Sequence, residues 1–98
     1  MSLPLVFHPA VQDEIEDAHQ WYEQQQAGLG EDFLAALDEA LNRMQQMPEV
    51  HQVIYRDVRR ALPRRFPYGI YYRIHADRLE VIAVQHSRRD PAHWQSRV

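Results

Sequence analysis

The chain changes its hydrophobic period at Pro48. Upstream of it, Val11, Ile15, Ala18 and Tyr22 recur at spacings of four, three and four, which puts them on one face of a helix. Pro9 suits the first turn of that helix, where a missing N–H is not needed. Asp13, Glu14, Glu16 and Asp17 lie in its early turns, where they complement the helix dipole. Gly28 is a natural stop. A second helix follows the Gly28-Leu29-Gly30 joint, with Phe33, Leu34, Leu37, Ala40, Leu41 and Met44 on its apolar face and Pro48 at its end. So short a link between two amphipathic helices predicts an antiparallel hairpin. The acidic Glu31, Asp32, Asp38 and Glu39 fall on its outer face.

Downstream the pattern is that of strands. Val58 to Arg65 is a candidate, with Pro63 pointing to an edge or a bulge. Ile70-Tyr71-Tyr72-Arg73-Ile74-His75 alternates, placing Ile70, Tyr72 and Ile74 on one side and Tyr71, Arg73 and His75 on the other. Ala76-Asp77-Arg78 reads as a tight turn. Leu79 to His86 is apolar nearly throughout and reads as a central strand paired with its predecessor. Leu3 to Phe7 is a further short strand at the start. In the tail, Asp90-Pro91 opens a final helical turn with Asp90 as cap. The predicted architecture is α+β. An N-terminal strand and an antiparallel helix hairpin pack on a small, mainly antiparallel sheet (β-α-α-β-β-β), with a short C-terminal helical turn. Nothing obvious covers the second face of that sheet.

Charge divides at the same place. Residues 1–50 hold ten acidic side chains and one Arg (Arg43), a formal −9, whereas residues 51–98 hold ten Arg and four acidic side chains, a formal +6. Every cation is Arg. A guanidinium grips carboxylate or phosphate through a flat fork of donors, so an all-Arg surface suggests an acidic partner. With 98 residues and 45% hydrophobic content, the chain supports one domain, 1–98, with a single modest core. It has no Cys, so disulfides and thiolate chemistry are excluded. The stretch Met1 to Phe7 lacks the basic start and apolar length of a signal peptide. No run approaches the ~20 apolar residues of a membrane span. The expectation is a cytoplasmic protein with no membrane partner. The six His include no pair at i, i+2 or i, i+4, so neither a metal site nor a cofactor is expected.

Several phrases, in joint order and spacing, resemble the RelE/ParE superfamily of bacterial toxin–antitoxin toxins. They are Tyr22-Glu23 ahead of Leu29-Gly30-Glu31-Asp32-Phe33, then Val58-Arg59-Arg60 followed by Arg65-Phe66-Pro67-Tyr68-Gly69-Ile70-Tyr71-Tyr72. Val81-Ile82-Ala83-Val84-Gln85-His86 comes next, followed by Arg88-Arg89-Asp90-Pro91 and Trp94. The closing phrase looks more like the ParE side. The resemblance implies a small toxin encoded beside an antitoxin whose C-terminal part wraps and neutralises it. ParE-type members inhibit DNA gyrase and cut nothing themselves. RelE-type members enter the ribosome and cut mRNA.

An RNA-cutting member needs a proton carrier and cations around the scissile phosphate. Here the resemblance would assign His86 to the first role and Arg65, Arg73 and Arg88 to the second, with Arg60 as a further cation. Three departures weigh against it: the chain has no Lys, it has Pro67-Tyr68-Gly69 where nucleases usually carry an Arg, and it lacks their final His-Tyr or Tyr. The expected function is therefore a ParE-like toxin that inhibits gyrase by binding and is neutralised by an acidic antitoxin. The alternatives are a metal-independent, ribosome-dependent mRNA endoribonuclease, or a non-toxic remnant that keeps antitoxin binding. A homodimer, or a heterotetramer with antitoxin, is compatible with either toxin. The residues expected at the antitoxin or target surface are Arg59, Arg60, Arg64, Arg65, Tyr71, Arg73, His86, Arg88, Arg89 and Trp94. Each has a plainer reading. Single Arg side chains serve as solvated surface, His86 caps the turn after its strand, and Trp94 packs the tail onto the sheet. Phe66 and Tyr72 are expected in the core, and Trp21 lies off the apolar face of its helix.

Overall fold

The computed structural model describes residues 2–98. Met1, part of the stretch read above for a leader, lies outside the described residues. A strand β1 (Leu5–Phe7) leads into the helices α1 (Val11–Gln25) and α2 (Leu29–Gln46). Four strands follow, β2 (Val53–Tyr55), β3 (Val58–Ala61), β4 (Tyr68–Ile74) and β5 (Leu79–His86), and then a one-turn helix α3 (Ala92–Gln95). The sheet order is β1-β5-β4-β3-β2. Among the described residues only the β1–β5 pair is parallel, in the register Leu5↔Leu79 and Phe7↔Val81. The α+β expectation holds, with one strand more than the sequence indicated. No helix among the described residues is long and apolar enough to cross a membrane.

The two helices lie on one sheet face. Val11, Ala18 and Tyr22 of α1 and Phe33, Leu37, Ala40 and Met44 of α2 close on Ile70, Tyr72, Leu79, Val81 and Val84. Tyr22, Phe33, Phe66 and Tyr68 form an aromatic knot at one end, with ring centroids 4.8 to 6.1 Å apart. Phe66 and Tyr72 are buried, as expected.

The helix joint explains the Tyr22-Glu23…Leu29-Gly30 phrase. Gly28 adopts a left-handed φ of 88° at the N-cap of α2, without a side-chain cap of its own. Glu23 reaches across from α1 instead. Its carboxylate accepts the Gly28 and Gly30 N–H groups at 3.0 Å each, satisfying donors that a helix start leaves open. The Gly28 N–H, followed by the Gly30 N–H and His19, holds the Glu23 carboxyl below its ordinary pKa. Gly30 is needed for a different reason. A Cβ there would stand 2.7 Å from both the His19 carbonyl oxygen and its ring. Gly30→Ala is therefore expected to lower stability by ~1–3 kcal/mol through overpacking of the hairpin. A urea midpoint unchanged from the parent would contradict this.

Four expectations need correction. The strand forecast for Val58 to Arg65 stops at Ala61, because Pro63 cannot donate to the ladder and Arg65 turns to a left-handed φ of 72°. The strand β2 was not anticipated. It pairs with β3 through the two-residue turn Arg56-Asp57, where Arg56 takes φ 53° without the Gly or Asn that usually marks such a turn. The second sheet face is also covered in part. Trp94 of α3, with Val98, packs on Val58, Tyr71, Ile82 and Ala83. Pro91, not Asp90, stands at the N-cap of α3, and Asp90 just ahead of it accepts the Ala92 N–H at 2.9 Å.

His51, between α2 and β2, has a buried Nε2 with no partner among the described residues. Burial, and then the charges of Arg43 and Arg59, depress its pKa below the ordinary 6.5. The fold thus favours neutral His51, while the unfolded chain takes up a proton near 6.5. His51 is expected to make stability fall as pH drops through 6.5 toward the lower folded pKa. His51→Phe should flatten the urea-midpoint profile across that window. Parallel profiles for parent and variant would exclude the linkage.

Candidate functional site

Opposite ends of the sheet treat their arginines differently. At the far end of β4, Arg73 is held by Asp57 through contacts of 3.1 and 3.2 Å. That pairing is the main reason the Asp57 carboxyl lies below its ordinary pKa. Arg59 is also spent. It donates to the carbonyls of Glu49 and His51 at 2.9 and 2.8 Å and so ties down the loop after α2. Arg60 is half-buried on β3.

The other end gathers the free charge. Here β4 begins and β5 finishes, with Tyr68 paired to His86 and the Ser87 N–H bonded to the Pro67 carbonyl. The register brings Arg64 and Arg65, before β4, to the same end as Arg88 and Arg89, after β5. Arg64 and Arg65 make only long, exposed pairs, 3.4 Å to Glu39 and 3.5 Å to Asp32; pairs of that kind contribute ~0–1 kcal/mol. Arg65 also lies over the Phe66 ring at 5.3 Å. Arg88 and Arg89 are exposed and have no carboxylate partner among the described residues. His86 sits at the root of this corner. Its Nδ1 accepts the Arg88 N–H at 3.1 Å and its ring stands edge-on to Tyr68 at 5.4 Å. In the neutral ring that bond leaves the proton on Nε2. The turn-capping reading of His86 is therefore the observed one.

The residues suggested for RNA cleavage are not brought together. His86 and Arg88 are adjacent. Arg65 is at the same end but turned toward Asp32 on α2. Arg73 lies five residues along β4 from Tyr68, roughly 17 Å at about 3.4 Å per residue, with its guanidinium committed to Asp57. Tyr71, expected on an open face, is 4% exposed and stacks on the equally buried Trp94 with centroids 4.6 Å apart, so the plainer reading of Trp94, packing the tail onto the sheet, is the one observed. Gly69 makes that stack possible, because a Cβ there would stand 2.9 Å from the Tyr71 ring.

A cleft of about 510 Å³ opens beside the arginine corner. One wall is a stripe of α1: Glu14, Asp17, Ala18, Trp21 and Tyr22. Pro67, Tyr68, Val84, Gln85, His86 and Arg89 form the rest. The cleft exists because β1 stops at Phe7, opposite Val81, and leaves the outer edge of β5 without a strand beyond that point. Polar side chains take over there. Glu14 accepts the Val84 N–H at 3.1 Å, the Gln85 Nε2 at 2.6 Å and the Arg97 guanidinium at 2.9 Å. Arg97 also donates to the Ile82 carbonyl at 3.0 Å. Gln85 is 3% exposed and its Oε1 has no donor among the described residues. Trp21, in contrast, is 55% exposed. Of this group the sequence singled out Trp21, His86 and Arg89. The signals for the others were Gln85, the one amide inside an apolar strand run, and Asp17 placed four residues before Trp21.

The sequence model of the family described as "ParE toxin of type II toxin-antitoxin system, parDE" matches residues 5–91. No curated protein matches the sequence. Among solved structures, a chain from the chromosomal ParDE toxin–antitoxin system of P. aeruginosa is similar with a TM-score of 0.65 and 12% identity, covering 87% of this chain and 96% of that one. A chain from the RelBE2 toxin–antitoxin complex of Mycobacterium tuberculosis gives a TM-score of 0.62 and 16% identity, covering 88% and 99%. At such identities the two likenesses speak to the fold.

Proposed function

The chain belongs to the ParE toxin family of type II toxin–antitoxin systems, and from that premise we propose that it inhibits DNA gyrase by binding it. We further propose that a cognate antitoxin silences it by laying an acidic segment on the corner formed by Arg64, Arg65, Arg88 and Arg89. The observation that carries the first part is the separation of His86 from Arg73, whose charge Asp57 already neutralises. Acid–base cleavage of RNA needs the proton carrier and the phosphate-binding cations on one small volume. Binding a protein needs only a surface. The arginine corner supplies one, and its Arg88 and Arg89 are in no ion pair among the described residues.

The experiment is to express the chain alone and assay gyrase supercoiling and ribosome-dependent mRNA cleavage in parallel. Inhibited supercoiling without cleavage is the expected result, and cleavage without inhibition would sink the reading. The nuclease alternative keeps one specific observation in its favour, the direct contact of His86 with the Arg88 backbone. Loss of cleavage in His86→Ala would then identify the proton carrier. Normal growth on induction, with stable protein accumulating, would instead point to a non-toxic remnant.

The antitoxin contact has its own test. Reversing Arg88 and Arg89 to Glu is expected to slow association on the order of tenfold at low salt and to flatten its salt dependence. Arg73→Glu serves as the contrast. It breaks the Asp57 pair and is expected to lower stability while leaving the association rate of the folded fraction unchanged. Stopped-flow association across ionic strengths separates the two. Unchanged rates for the Arg88/Arg89 double reversal would remove the corner from the interface.

A further inference from the structure

We propose that the outer edge of β1 pairs with the same strand of a second copy of this chain, joining two sheets across a two-fold axis at Val6. Among the described residues β1 has β5 as its one neighbour and so forms an edge of the sheet. The hydrogen bonds at its ends show which way its backbone faces. The Leu79 N–H donates to the Pro4 carbonyl at 2.9 Å, and the His8 N–H donates to the Val81 carbonyl at 2.8 Å. Backbone groups alternate in direction along a strand. Pro4, Val6 and His8 therefore face β5, while Leu5 and Phe7 turn their N–H and C=O groups outward. The open row ends there. The Leu3 carbonyl already accepts the Gln45 Nε2–H at 2.8 Å, and Pro9 has no N–H to offer.

An open row of backbone donors and acceptors is a template for another strand, and proteins blunt it with charges, prolines or bulges. The opposite edge is blunted in this way: β2 has a bulge between Val53 and Tyr55 and runs straight into Arg56. Leu5-Val6-Phe7 has none of these devices. It presents Val6 and Phe7 at 46% and 44% exposure.

A second β1, run antiparallel, matches the row. Leu5 lies opposite Phe7 of the second copy and exchanges both hydrogen bonds with it, and the two-fold axis repeats the exchange at Phe7 and Leu5. Every outward group finds a partner, and the two Val6 side chains meet at the axis as a non-hydrogen-bonded pair. On the helix side, Phe7, Val11 and Ile15 border an apolar hollow of about 360 Å³, and Leu5 of the second copy comes to its mouth. Charge separates this occupant from an acidic antitoxin segment. No Arg occurs before Arg43, and Arg78, beside the Leu79 that pairs with Leu5, is held by Asp77 at 2.8 Å. Self-pairing of three uncharged residues sets no like charges against one another. So short a ladder makes a weak dimer that forms only at high concentration. It uses the end of β5 that holds Leu79 to Val81 and leaves the arginine corner, at the other end, open. Its failure would therefore leave the gyrase and antitoxin assays untouched.

The experiment is sedimentation velocity on the isolated chain from micromolar to millimolar concentration, with amide exchange read by NMR over the same range. The sedimentation coefficient should rise toward that of a dimer. Exchange of the Leu5 and Phe7 amides should slow on the order of tenfold, while the Val6 amide, already bonded inside the sheet, changes little. Phe7→Pro removes an outward donor and spares the β1–β5 ladder, so it should abolish the rise while keeping a parent-like circular dichroism spectrum. Cross-linking tests the register whether or not the proline variant folds. The chain has no Cys. Val6→Cys puts two sulfurs at the axis on Cα atoms about 4.5 Å apart, within disulfide reach. Phe7→Cys puts them on Cα atoms roughly 8 Å apart, beyond it. Under mild oxidation Val6→Cys should form the dimer about tenfold faster than Phe7→Cys. A parent that stays monomeric at millimolar concentration, association that survives in folded Phe7→Pro, or equal cross-linking of the two Cys variants would overturn the proposal. Exchange at Leu5 and Phe7 that slows only when antitoxin is added would give the edge to the antitoxin and overturn it as well.

Discussion

Glu14→Ala is expected to lower stability by ~3–5 kcal/mol, the range seen when one partner of a buried ion pair is removed. The side chains of Glu14 and Arg97 are only 12% and 17% exposed. Without the carboxylate, three donors lose their acceptor at once: the Val84 N–H, the Gln85 amide and the Arg97 guanidinium. The last is a charge that cannot be neutralised by deprotonation. Glu14→Gln keeps an acceptor oxygen and should cost less. Removing Arg97 as well relieves the stranded cation, so the double variant Glu14→Ala/Arg97→Ala should be less destabilised than the sum of the singles. Urea denaturation of the four proteins gives the cycle. A loss below ~1 kcal/mol for Glu14→Ala would mean that water reaches this network freely.

Trp94→Ala is the second large effect, ~3–5 kcal/mol for truncating a buried aromatic. The indole is sandwiched between two rings, stacked on Tyr71 and meeting Tyr55 edge-on at 5.6 Å. Its loss uncovers Ile82 and Ala83 in mid-sheet. Besides the lower urea midpoint, the variant should bind a hydrophobic dye and be cut faster after Arg88 or Arg89, which precede the detached turn. Parent-like dye binding and proteolysis would mean that the sheet face does not depend on Trp94.

Much of this could be read in the sequence because one face of each helix and strand is buried. Val11, Ala18 and Tyr22, or Phe33, Leu37 and Met44, advertise their helices by period, and Val81 to Val84 is apolar because both sheet faces are covered there. What escaped has no period to show. The strand β2 is three residues long and turns through Arg56-Asp57, a pair without the Gly or Asn that usually marks a two-residue hairpin turn. The helix α3, by contrast, was legible from Asp90-Pro91 as a final helical turn, with Trp94 packing the tail onto the sheet among its readings. Tyr71 was misplaced because alternation assigns a side but not what lies on it. At the site, the sequence displayed Arg pairs but not their fates. Arg73 looks like Arg88 until Asp57, sixteen residues away, is seen to hold it. The partnership of Glu14 with Arg97 spans most of the chain and no local pattern announces it.

The parallel pairing of β1 with β5 sets an order of events in folding. β5 is the hub of the sheet, hydrogen-bonded to β1 on one side and β4 on the other, and α1 packs against it. During synthesis the helix hairpin emerges first, acidic on its outside and with half a core exposed on its inside, and β1 has nothing to pair with until residues 79–81 follow. Loop closure over so long a stretch is slow compared with local helix formation. A nascent chain short of β5 is therefore a helical hairpin with an unsatisfied strand on its flank. The activity of the finished sheet, whatever it binds, becomes available in one late step rather than growing with the chain.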